Sequence, residues 1–559
     1  MSQPGVRERV VAVWRRVLDL SWPVMVQHVF RTLMRTTDIV VTGLFSPGAV
    51  AAVGLADLYA RFPLRIGLGL GGGAIALSSQ DTGGQAVENR DEAITQAILI
   101  GLLSGVPFVA FGVLFGEAAI ALLGAPAAVA EMGGTYLAVV FASAPARHVA
   151  LVGARALQGT GDTQTPMYVD VTSSLLNIAG SAILGLGLFG APRLSIFGVG
   201  LATTFGNVFT ATALTVAILS SRTDAAFQRP TDLVITRQLL AVSIPRIGEG
   251  LVATAAEFPF NSLLLGFGTE VNAAYQIGRR AYQQVTSPLS RGYNTAASIV
   301  VGQSLGEGDA AGARFQGWAT AALAVATVGI IGVALALGAE SFVGLFTDDA
   351  ATARYAVGFA RAYGLAAPAL AAYLVFAGAL QGGSDTRTPF IARTTGLFGF
   401  VLGFSYLTGV VLGWGVVGAY AGVALQYVWG LAVVGWGFAR GDWAEDLEVV
   451  TPSSSTVNPE DMLSSEDIKT LIDACNNQRD IALIEFLADT GARRSLTASL
   501  RIKDVDLEGD IATYRPNDEA LGLKGADITE YPLIDSTAAL RSYKRFTHPR
   551  ADDPNAPFF

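Results

Sequence analysis

Long apolar stretches recur along residues 17–439, and they restrict the possible folds of this chain more than any other feature. A helix that crosses a lipid bilayer needs about 20 mainly apolar residues. Twelve such stretches occur between turn signals, at 17–45, 49–80, 94–124, 133–158, 166–190, 196–220, 240–267, 272–304, 316–346, 355–381, 389–413 and 416–439. We therefore predict an all-α polytopic membrane protein with twelve transmembrane helices.

The composition agrees with a membrane protein that carries a soluble end. Of 559 residues, 51% are hydrophobic and 15% are charged, whereas an ordinary soluble domain has about 25% charged residues. Residues 451–559 contain 19 acidic and 12 basic residues, a balance of −7 within the net charge of −9. The apolar part is therefore nearly neutral, and the C-terminal end is an acidic, soluble piece.

The two halves of the apolar part repeat each other. Residues 156–166 read ALQGTGDTQTP and residues 379–389 read ALQGGSDTRTP, which is an offset of 223. The same offset separates Gln80 from Gln303. A nearly constant offset over several separate matches indicates an internal duplication.

Each repeat contains six predicted spans, so both repeats enter the membrane from the same side. We predict an N-lobe at 1–230 and a C-lobe at 231–440, related by an axis along the membrane normal, with a cavity between them. Basic residues in short loops mark the cytoplasmic side of a membrane protein. Arg193 and Arg354 fall on one side, and the other side receives Arg7, Arg9, Arg15, Arg16, Arg90, Arg222, Arg229, Arg237, Arg314, Arg387 and Arg440. We predict an inner-membrane protein with both termini in the cytoplasm.

Several motifs follow one another in a fixed order along residues 15–440. They include LSWPVMVQ, TDIVVTGLFSPGAVAAVGLA, SSLLNIAG, NAAYQIGRRAY and ASIVVGQSLGEGD, besides the two ALQG motifs. With them, this part resembles the multidrug and toxic compound extrusion (MATE) family, nearest to its DNA-damage-inducible branch. The resemblance implies a two-lobed, twelve-helix exporter driven by an inward proton or sodium gradient.

No nucleotide-binding GxxxxGK[ST] motif occurs in the sequence, which favours secondary transport over ATP-driven transport. We therefore expect a membrane antiporter and not an enzyme. We expect it to act as a monomer in the lipid bilayer, on small organic substrates and without a cofactor other than the coupling ion.

Ionisable residues within the spans are functional candidates, because a charge inside the bilayer is costly. The resemblance places Asp38 at the position of the carboxylate that binds the coupling cation in the N-lobe. Asn177 matches the family's cation-site Asn, and Thr203 is a weaker match in the next span. The fifth span places Asp170, Asn177 and Ser181 on one helix face.

The coupling ion is H⁺ or Na⁺. Some members of the family have an Asp where this chain has Ser181, and hard cations such as Na⁺ prefer several oxygen ligands with a carboxylate among them. The departure favours protons, unless Asp170 substitutes for the missing carboxylate. Na⁺ at Asp38 and Asn177 stays an alternative, and no other metal site is predicted.

Four further charged residues are candidates for gating or for lining the substrate cavity. Arg31 and Arg35 precede Asp38 on the same face of the first span, so either could pair with its carboxylate. Glu249 and Glu257 lie two turns apart on one face of the seventh span. Each glutamate either lines the cavity or pairs with a nearby arginine.

The expected substrates are organic, cationic or amphipathic compounds. Other predicted spans contain Arg61, Arg65, Arg147, Arg155, Arg279, Arg280, Arg291, Arg361 and Arg393. Such arginines can extend from helix ends to the membrane surface. If many of them instead face the cavity, the alternative applies, a flippase or exporter of anionic or lipid-linked substrates with a related fold. The sign of the charge in the cavity distinguishes the two.

The C-terminal end differs from the rest of the chain. Residues 441–456 are predicted to form a linker, and residues 457–559 resemble the start of a tyrosine recombinase (phage-integrase type) catalytic domain, a small α+β fragment. Arg493 in TGARRS matches that family's first catalytic arginine, and Lys524 is a candidate for its strand lysine. The family's HxxR motif and nucleophilic Tyr have no counterpart here, so we expect no recombinase activity. The net charge of −7 argues against nucleic-acid binding.

Overall fold

The computed structural model describes residues 5–220, 222–441, 443, 464–475, 477–490, 497, 500–508, 512–515 and 531–559. The chain divides into two compact units, Met1–Thr451 and Pro452–Phe559. The described residues of the first unit are helical, whereas those of the second combine helices with short strands. Most of the predicted linker 441–456 lies outside the described residues.

We keep the predicted names N-lobe for residues 1–230 and C-lobe for residues 231–440, and seven α-helices are described in the N-lobe. They are α1 Val6–Gly43, α2 Pro47–Gly83, α3 Val87–Leu122, α4 Ala127–Ala142, α5 Ala144–Thr160, α6 Gln164–Leu186 and α7 Ser195–Leu219. Helices α4 and α5 follow each other across a bend of 47° and together cover the single span predicted at 133–158. Pro145 lies in the first turn of α5, where it needs no hydrogen-bonding N–H group.

Eight helices form the C-lobe. They are α8 Leu233–Phe267, α9 Thr269–Ala281, α10 Ser287–Gly306, α11 Ala310–Leu337, α12 Ala339–Val343, α13 Ala350–Gly382, α14 Arg387–Thr395 and α15 Val416–Arg440. The π-helical segment Tyr282–Thr286 joins α9 to α10. Two more π-helical segments, Gly396–Phe404 and Leu407–Val411, continue α14. Insertions of this type shift the face that a helix presents to its neighbours.

Apolarity alone identifies fewer spans than the twelve predicted. Among the described helices, eight are long and apolar enough to cross a membrane, or nine if the bent pair α4–α5 is one span. Helices α1 and α2 and the α9–α10 segment are not among them. These three elements contain Arg31, Arg35, Asp38, Asp57, Arg61, Arg65, Arg279, Arg280 and Arg291. Their charged side chains lower the mean hydropathy. That these three elements cross the membrane therefore stays a prediction.

Each lobe has its own hydrophobic core. In the C-lobe the core follows α13, where Phe359 is fully buried, and includes Phe438 of α15. In the N-lobe one core contains Leu157 and Leu214, and another contains Phe141. The cores also cross the lobe boundary, because Val17 of α1 joins the C-lobe core and Leu239 of α8 joins an N-lobe core.

The two ALQG motifs end one helix and cap the next. Asp162 Oδ1 accepts a hydrogen bond from Thr165 N at 2.9 Å, and Asp385 Oδ1 accepts one from Thr388 N at 3.0 Å. An aspartate that accepts from the first turn satisfies an otherwise unpaired N–H group. The Asp and Thr of the second cap lie 223 positions after those of the first, so the repeated sequence makes the same local structure twice.

Helices α2 and α10 approach each other most closely at their last residues, through glycine. A Cβ atom added to Gly83 would overlap the carbonyl group of Gln303, and a Cβ atom added to Gly306 would overlap that of Gln80. Only glycine therefore allows this approach. We call this end of the lobes, where Gly83 and Gly306 meet, the crossing end.

Two glutamines connect the lobes at the crossing end. Gln80 Nε2 donates to Gly382 O at 2.6 Å, and Gln303 Nε2 donates to Gly159 O at 3.1 Å. Each residue of the first bond lies 223 positions from its counterpart in the second. Among hydrogen bonds and ion pairs of described residues that join the lobes, the pair Arg61–Glu257 lies furthest from this end. The lobes are thus joined at the crossing end. A charged cleft lies between them on the side away from that end, towards Arg61 and Glu257.

The second unit has a small core of its own. Its described elements are the helices α16 Ser465–Asp473, α17 Gln478–Thr490 and α18 Thr537–Phe546 and the antiparallel strands β1 Val505–Asp506, β2 Thr513–Tyr514 and β3 Tyr531–Pro532. Phe486, Leu540 and Phe558 are fully buried in its core. The described elements thus have α+β character.

One carboxylate in this second unit ties a helix to a turn. Asp489 Oδ2 accepts hydrogen bonds from Ile534 N at 2.9 Å and from Ser536 Oγ at 2.7 Å. Burial raises the pKa of Asp489, but the hydrogen bonds from Ser536 and Ile534 outweigh burial and leave that pKa below its usual value. The bonds therefore stabilise this unit at neutral pH, and that contribution is lost as the pH falls through the lowered pKa.

Candidate functional site

A polar cluster lies inside the N-lobe, where α1 packs against α6 and α6 against α7. Ser181 Oγ donates to Asp38 Oδ1 at 2.7 Å. With its amide nitrogen facing that carboxylate, Asn177 donates to Asp38 Oδ1 at 3.2 Å, and its amide oxygen accepts from Thr203 N and Oγ1, both at 3.2 Å. This amide orientation is assigned from the hydrogen-bond network. Four predicted residues from three helices thus meet, and we call them the Asp38 cluster.

Helix geometry explains why α6 supplies two members of the cluster. Asn177 and Ser181 are one turn apart and therefore share a helix face. Both are buried, Asn177 at 1% and Ser181 at 0% relative exposure. Asp38 lies in the second half of α1, two turns after Arg31. The face predicted from spacing is the face that the structure turns to α1.

The Asp38 carboxylate has neutral hydrogen-bond partners. Among the described residues, no arginine or lysine nitrogen lies within 4.0 Å of it. A carboxylate without a fixed counter-charge can take up a proton, and its oxygens with those of Asn177, Ser181 and Thr203 are hard ligands. No described group of three or more His, Cys, Asp or Glu side chains is placed to hold a metal ion.

Asp170 is not part of the Asp38 cluster, although it shares a helix face with Asn177. Its Oδ2 atom accepts a bond from Arg31 Nη2 at 2.6 Å, and its side chain is 8% exposed. The two charges therefore compensate each other. Asp170 does not supply the carboxylate that Ser181 replaces, and Arg31 does not pair with Asp38.

Asp57 of α2 is a carboxylate that sequence reasoning missed. It interacts electrostatically with Arg35 and Arg147, and also with Asp38. Arg35 has no described carboxylate within ion-pair distance, so it faces Asp57 at longer range. The signal in the sequence was the one acidic residue within the apolar stretch 49–80, which also contains Arg61 and Arg65.

The two glutamates of α8 both pair with arginines. Glu249 accepts from Arg246, three residues earlier on the same helix. Glu257 accepts from Arg279 Nη2 at 2.7 Å and from Arg61 Nη1 at 2.6 Å. Because Arg61 belongs to the N-lobe, Glu257 joins the lobes. Both glutamates border the cleft, and both are engaged there in ion pairs.

Several of the other arginines also lie between the lobes and not at helix ends. Arg65 Nε donates to Thr254 Oγ1 at 3.2 Å, and Arg155 Nη1 donates to Thr295 Oγ1 at 2.7 Å, each across the lobe boundary. Arg361, in contrast, pairs with Glu340 on the exposed surface. The sequence does not distinguish arginines between the lobes from arginines on the surface, since both kinds occur within apolar stretches.

A small cavity between the lobes has a volume of about 20 Å³, enough for about one water molecule. Its lining comes from both lobes and consists of Leu68, Gly72, Ile75, Arg155, Arg246, Asn294, Thr295, Ser298 and Gln381. Most of these side chains are polar donors. In the second unit, the recombinase-like residues Arg493 and Lys524 lie outside the described residues.

Comparison with known proteins agrees with this architecture. The MatE family model matches residues 23–183 and again residues 245–407. A protein named "Probable multidrug resistance protein NorM" from Bradyrhizobium diazoefficiens is 30% identical over 443 residues, which are 76% of this chain and 93% of that protein. A protein of the same name from Rhodopseudomonas palustris is 27% identical over 446 residues, 77% of this chain and 93% of that protein.

Solved structures share the fold. A structure titled "Outward-facing conformation of a multidrug resistance MATE family transporter of the MOP superfamily" has a TM-score of 0.72 at 21% identity and covers 79% of this chain and 99% of its own. A second, "Reverse polarity of binding pocket suggests different function of a MOP superfamily transporter from Pyrococcus furiosus", has a TM-score of 0.67 at 21% identity. It covers 76% of this chain and 94% of its own.

Proposed function

Because this chain belongs to the MatE family of multidrug efflux transporters, we propose that it is a secondary antiporter that exports small organic compounds through the cleft between its lobes. The observation that carries this proposal is the Asp38 cluster, where one carboxylate meets only neutral partners inside the N-lobe. Such a group can exchange a cation, whereas Asp170, Glu249 and Glu257 cannot do so without losing their ion-pair partners. The protein is therefore assigned as a membrane antiporter and not as an enzyme.

The proposed architecture is twelve spans in two repeats of six. The family model begins its two matches at residues 23 and 245, an offset of 222, close to the offset of the repeated motifs. The paired caps and the paired glutamine bonds support the same duplication. Motifs such as TDIVVTG and SSLLNIAG support a place in the DNA-damage-inducible branch.

We place both termini in the cytoplasm, in a cell inner membrane, on the strength of the basic residues near the N-terminus and in the loops on that side. Helix α2 then runs inward, so the crossing end is cytoplasmic. The lobes are joined there, and the cleft faces outward. In alternating access, this is the state that receives the coupling ion from outside and releases substrate.

The coupling ion in this proposal is a proton. In the outward-facing state Asp38 takes up a proton, which removes its negative charge. The protonated carboxyl group can then donate a hydrogen bond as well as accept those from Ser181 and Asn177. The lobes then rock, and Asp38 releases the proton inside. A proton is favoured over Na⁺ because the cluster holds one carboxylate, and Asp170 is engaged by Arg31. Na⁺ would be held by oxygens of Asp38, Asn177, Ser181 and Thr203.

Reconstituted protein tests this mechanism. Substrate efflux from proteoliposomes is measured with an imposed proton gradient and, separately, an imposed sodium gradient. Asp38→Asn keeps size and hydrogen bonding but cannot titrate, so we expect gradient-driven efflux to be abolished while insertion is normal. Asn177→Ala is expected to weaken coupling less, because a neutral ligand only supports the site.

The matched control is Asp348→Asn, which removes an exposed carboxylate from a loop and should leave efflux unchanged. Near-normal coupled efflux in Asp38→Asn would show that the coupling site is elsewhere, with Asp57 and Glu257 as the next candidates. Efflux driven only by sodium would replace the proton with Na⁺ at the same cluster.

For residues 457–559 we keep the proposal of a recombinase-like remnant without activity. Its support is the TGARRS match at Arg493 together with the absence, within 457–559, of a counterpart to the HxxR motif and to the nucleophilic Tyr. The acidic balance of this segment also opposes binding to phosphate. Transport is therefore assigned to the first unit alone.

A further inference from the structure

The ionisable side chains around the cleft form one connected set in which arginine predominates. Ion pairs and electrostatic interactions link ten arginines with five carboxylates. The arginines are Arg31, Arg35, Arg61, Arg65, Arg147, Arg155, Arg246, Arg279, Arg291 and Arg393, and the carboxylates are Asp38, Asp57, Asp170, Glu249 and Glu257. Guanidinium groups stay protonated at neutral pH. The cleft therefore carries an excess of positive charge.

The carboxylates of this set do not neutralise the arginines between the lobes. Asp170, Glu249 and Glu257 are engaged by Arg31, Arg246, and Arg61 with Arg279, respectively. Asp38 and Asp57 interact electrostatically with Arg35, and Asp57 also with Arg147. Six of the ten arginines have no carboxylate within ion-pair distance among the described residues. Besides Arg35 and Arg147, they are Arg65, Arg155, Arg291 and Arg393. We call these last four the cleft arginines.

The cleft arginines come from both lobes and interact electrostatically across the lobe boundary. Arg65 of the N-lobe interacts electrostatically with Arg291 and Arg393 of the C-lobe. Arg155 of the N-lobe interacts with Arg291 as well. Hydrogen bonds from Arg65 to Thr254 and from Arg155 hold two of these side chains at the boundary. Like charges at short range repel strongly where the dielectric constant is low. An anion between them would remove that repulsion.

Neutral donors and an aromatic ring accompany the cleft arginines. In the small cavity between the lobes, Arg155 is joined by Asn294 and Ser298. The Ser298 hydroxyl is buried and has no hydrogen-bond partner. On the C-lobe side, Arg393 interacts electrostatically with Tyr282, whose ring is half-buried. Donors for an anionic group thus accompany an aromatic ring that is partly exposed.

We propose that the cleft binds an amphipathic organic anion, whose carboxylate, sulfonate or phosphate group is held by Arg65, Arg155, Arg291 and Arg393. The apolar part of the molecule packs against the half-buried ring of Tyr282. This inference rests on the proposed export function and names its substrate class. It selects the anionic alternative over the cationic compounds that the sequence predicts. Arginine suits the task, because its planar fork matches an oxyanion in two hydrogen bonds.

The test compares two dyes of similar size on the full chain in proteoliposomes, a naphthalene sulfonate and a quaternary ammonium dye. Binding is measured by fluorescence, and efflux is measured under an imposed proton or sodium gradient. We expect the sulfonate to bind and to be exported in preference to the cation. Arg291→Gln should weaken sulfonate binding at least tenfold, whereas Arg291→Lys should retain most of it, since the charge is kept.

Arg361→Gln is the matched control, because Arg361 lies on the exposed surface in a pair with Glu340 and should leave dye binding unchanged. A labelled anionic phospholipid in the same vesicles distinguishes the source of the anionic group. Its transfer between leaflets, lost in Arg291→Gln, would identify a lipid substrate, and export of the sulfonate alone would identify a soluble one.

The remaining outcomes separate the two proposals. Export of the cation without binding of the sulfonate would overturn this inference and leave the proposed antiport intact. Sulfonate binding that is the same in Arg291→Gln and in the unchanged protein would also overturn it. If efflux of every dye is independent of the imposed gradients, the antiport proposal is wrong. The binding measurement would still decide the substrate class.

Discussion

At the scale of single residues, Glu257 carries the strongest polar connection between the lobes within the cleft. Its two carboxylate oxygens bind Arg61 and Arg279, at 2.6 and 2.7 Å, so one acid compensates two guanidinium groups. The side chain is 22% exposed. Removal of its charge leaves both arginines without a partner in a region that already contains excess positive charge.

We therefore expect Glu257→Gln to lower the free energy of unfolding by about 2 kcal/mol, the range for hydrogen bonds to charged groups. Thermal unfolding of the purified protein in detergent measures it. The matched control is Glu340→Gln, since Glu340 is 75% exposed and pairs with Arg361 at the surface. An exposed pair contributes about 0.5 kcal/mol or less. Equal effects of the two substitutions would show that the Glu257 pairs are not buried enough to matter.

The Asp38 cluster was predictable in part, and the ion pairs were not. Spacing along α6 places Asn177 and Ser181 on one face, and the family motif points to Asp38. Helical periodicity gives the face of a residue but not its neighbour on another helix. Arg31 and Asp170 are 139 residues apart in the chain, so their pair could not be read from sequence. Because of this ion pair, Asp170 is not part of the Asp38 cluster.

At the scale of helices, the predicted apolar stretches overlap described helices but do not give the helix ends. The stretch predicted to start at residue 17 belongs to α1, which begins at Val6, and the one predicted from 240 belongs to α8, which begins at Leu233. Helices continue into polar residues beyond the apolar part, because backbone hydrogen bonding does not depend on hydropathy. Breaks inside spans, such as the π-helical segment before α10, leave no trace in hydropathy.

The approach of α2 to α10 gives a prediction for these two elements. We expect Gly306→Ala to push the helix ends apart, because its Cβ atom would overlap the backbone of Gln80. Spin labels at the exposed positions Glu88 and Ala311 should report a longer distance between the lobes at the crossing end, together with reduced efflux. Gly54→Ala in α2 is the control, since no atom lies within 4 Å of the added Cβ. An unchanged distance in Gly306→Ala would mean that the approach adapts without separation.

At the scale of the whole molecule, the sequence duplication reappears as paired contacts. Gln80 donates to Gly382 of the second ALQG motif, and Gln303 donates to Gly159 of the first. Each repeat therefore binds the ALQG motif of the other repeat. Because the same sequence pattern makes both bonds, the two connections can open symmetrically. The proposed rocking of the two lobes requires this. The duplication was visible in the sequence, but which repeated residues meet across the lobes depends on packing.

The division of the chain into two units gives the last prediction. Met1–Thr451 contains the cleft, the Asp38 cluster and both lobe cores, whereas Pro452–Phe559 has its own core around Phe486 and Phe558. Because each unit is filled by its own apolar side chains, deletion of residues 452–559 should leave the first unit folded. We expect the shortened protein to insert and to export substrate at a rate within about twofold of the full chain.

Efflux from proteoliposomes that contain equal amounts of the two proteins measures this effect, with thermal unfolding as a check on the fold. The control is Asp489→Ala in the full chain. It removes the acceptor of the bonds from Ser536 and Ile534, so it should destabilise the second unit without changing transport. If deletion abolishes efflux from a normally inserted protein, the second unit regulates transport, and the remnant proposal is wrong. If both changes leave efflux intact, transport is a property of the lobes alone.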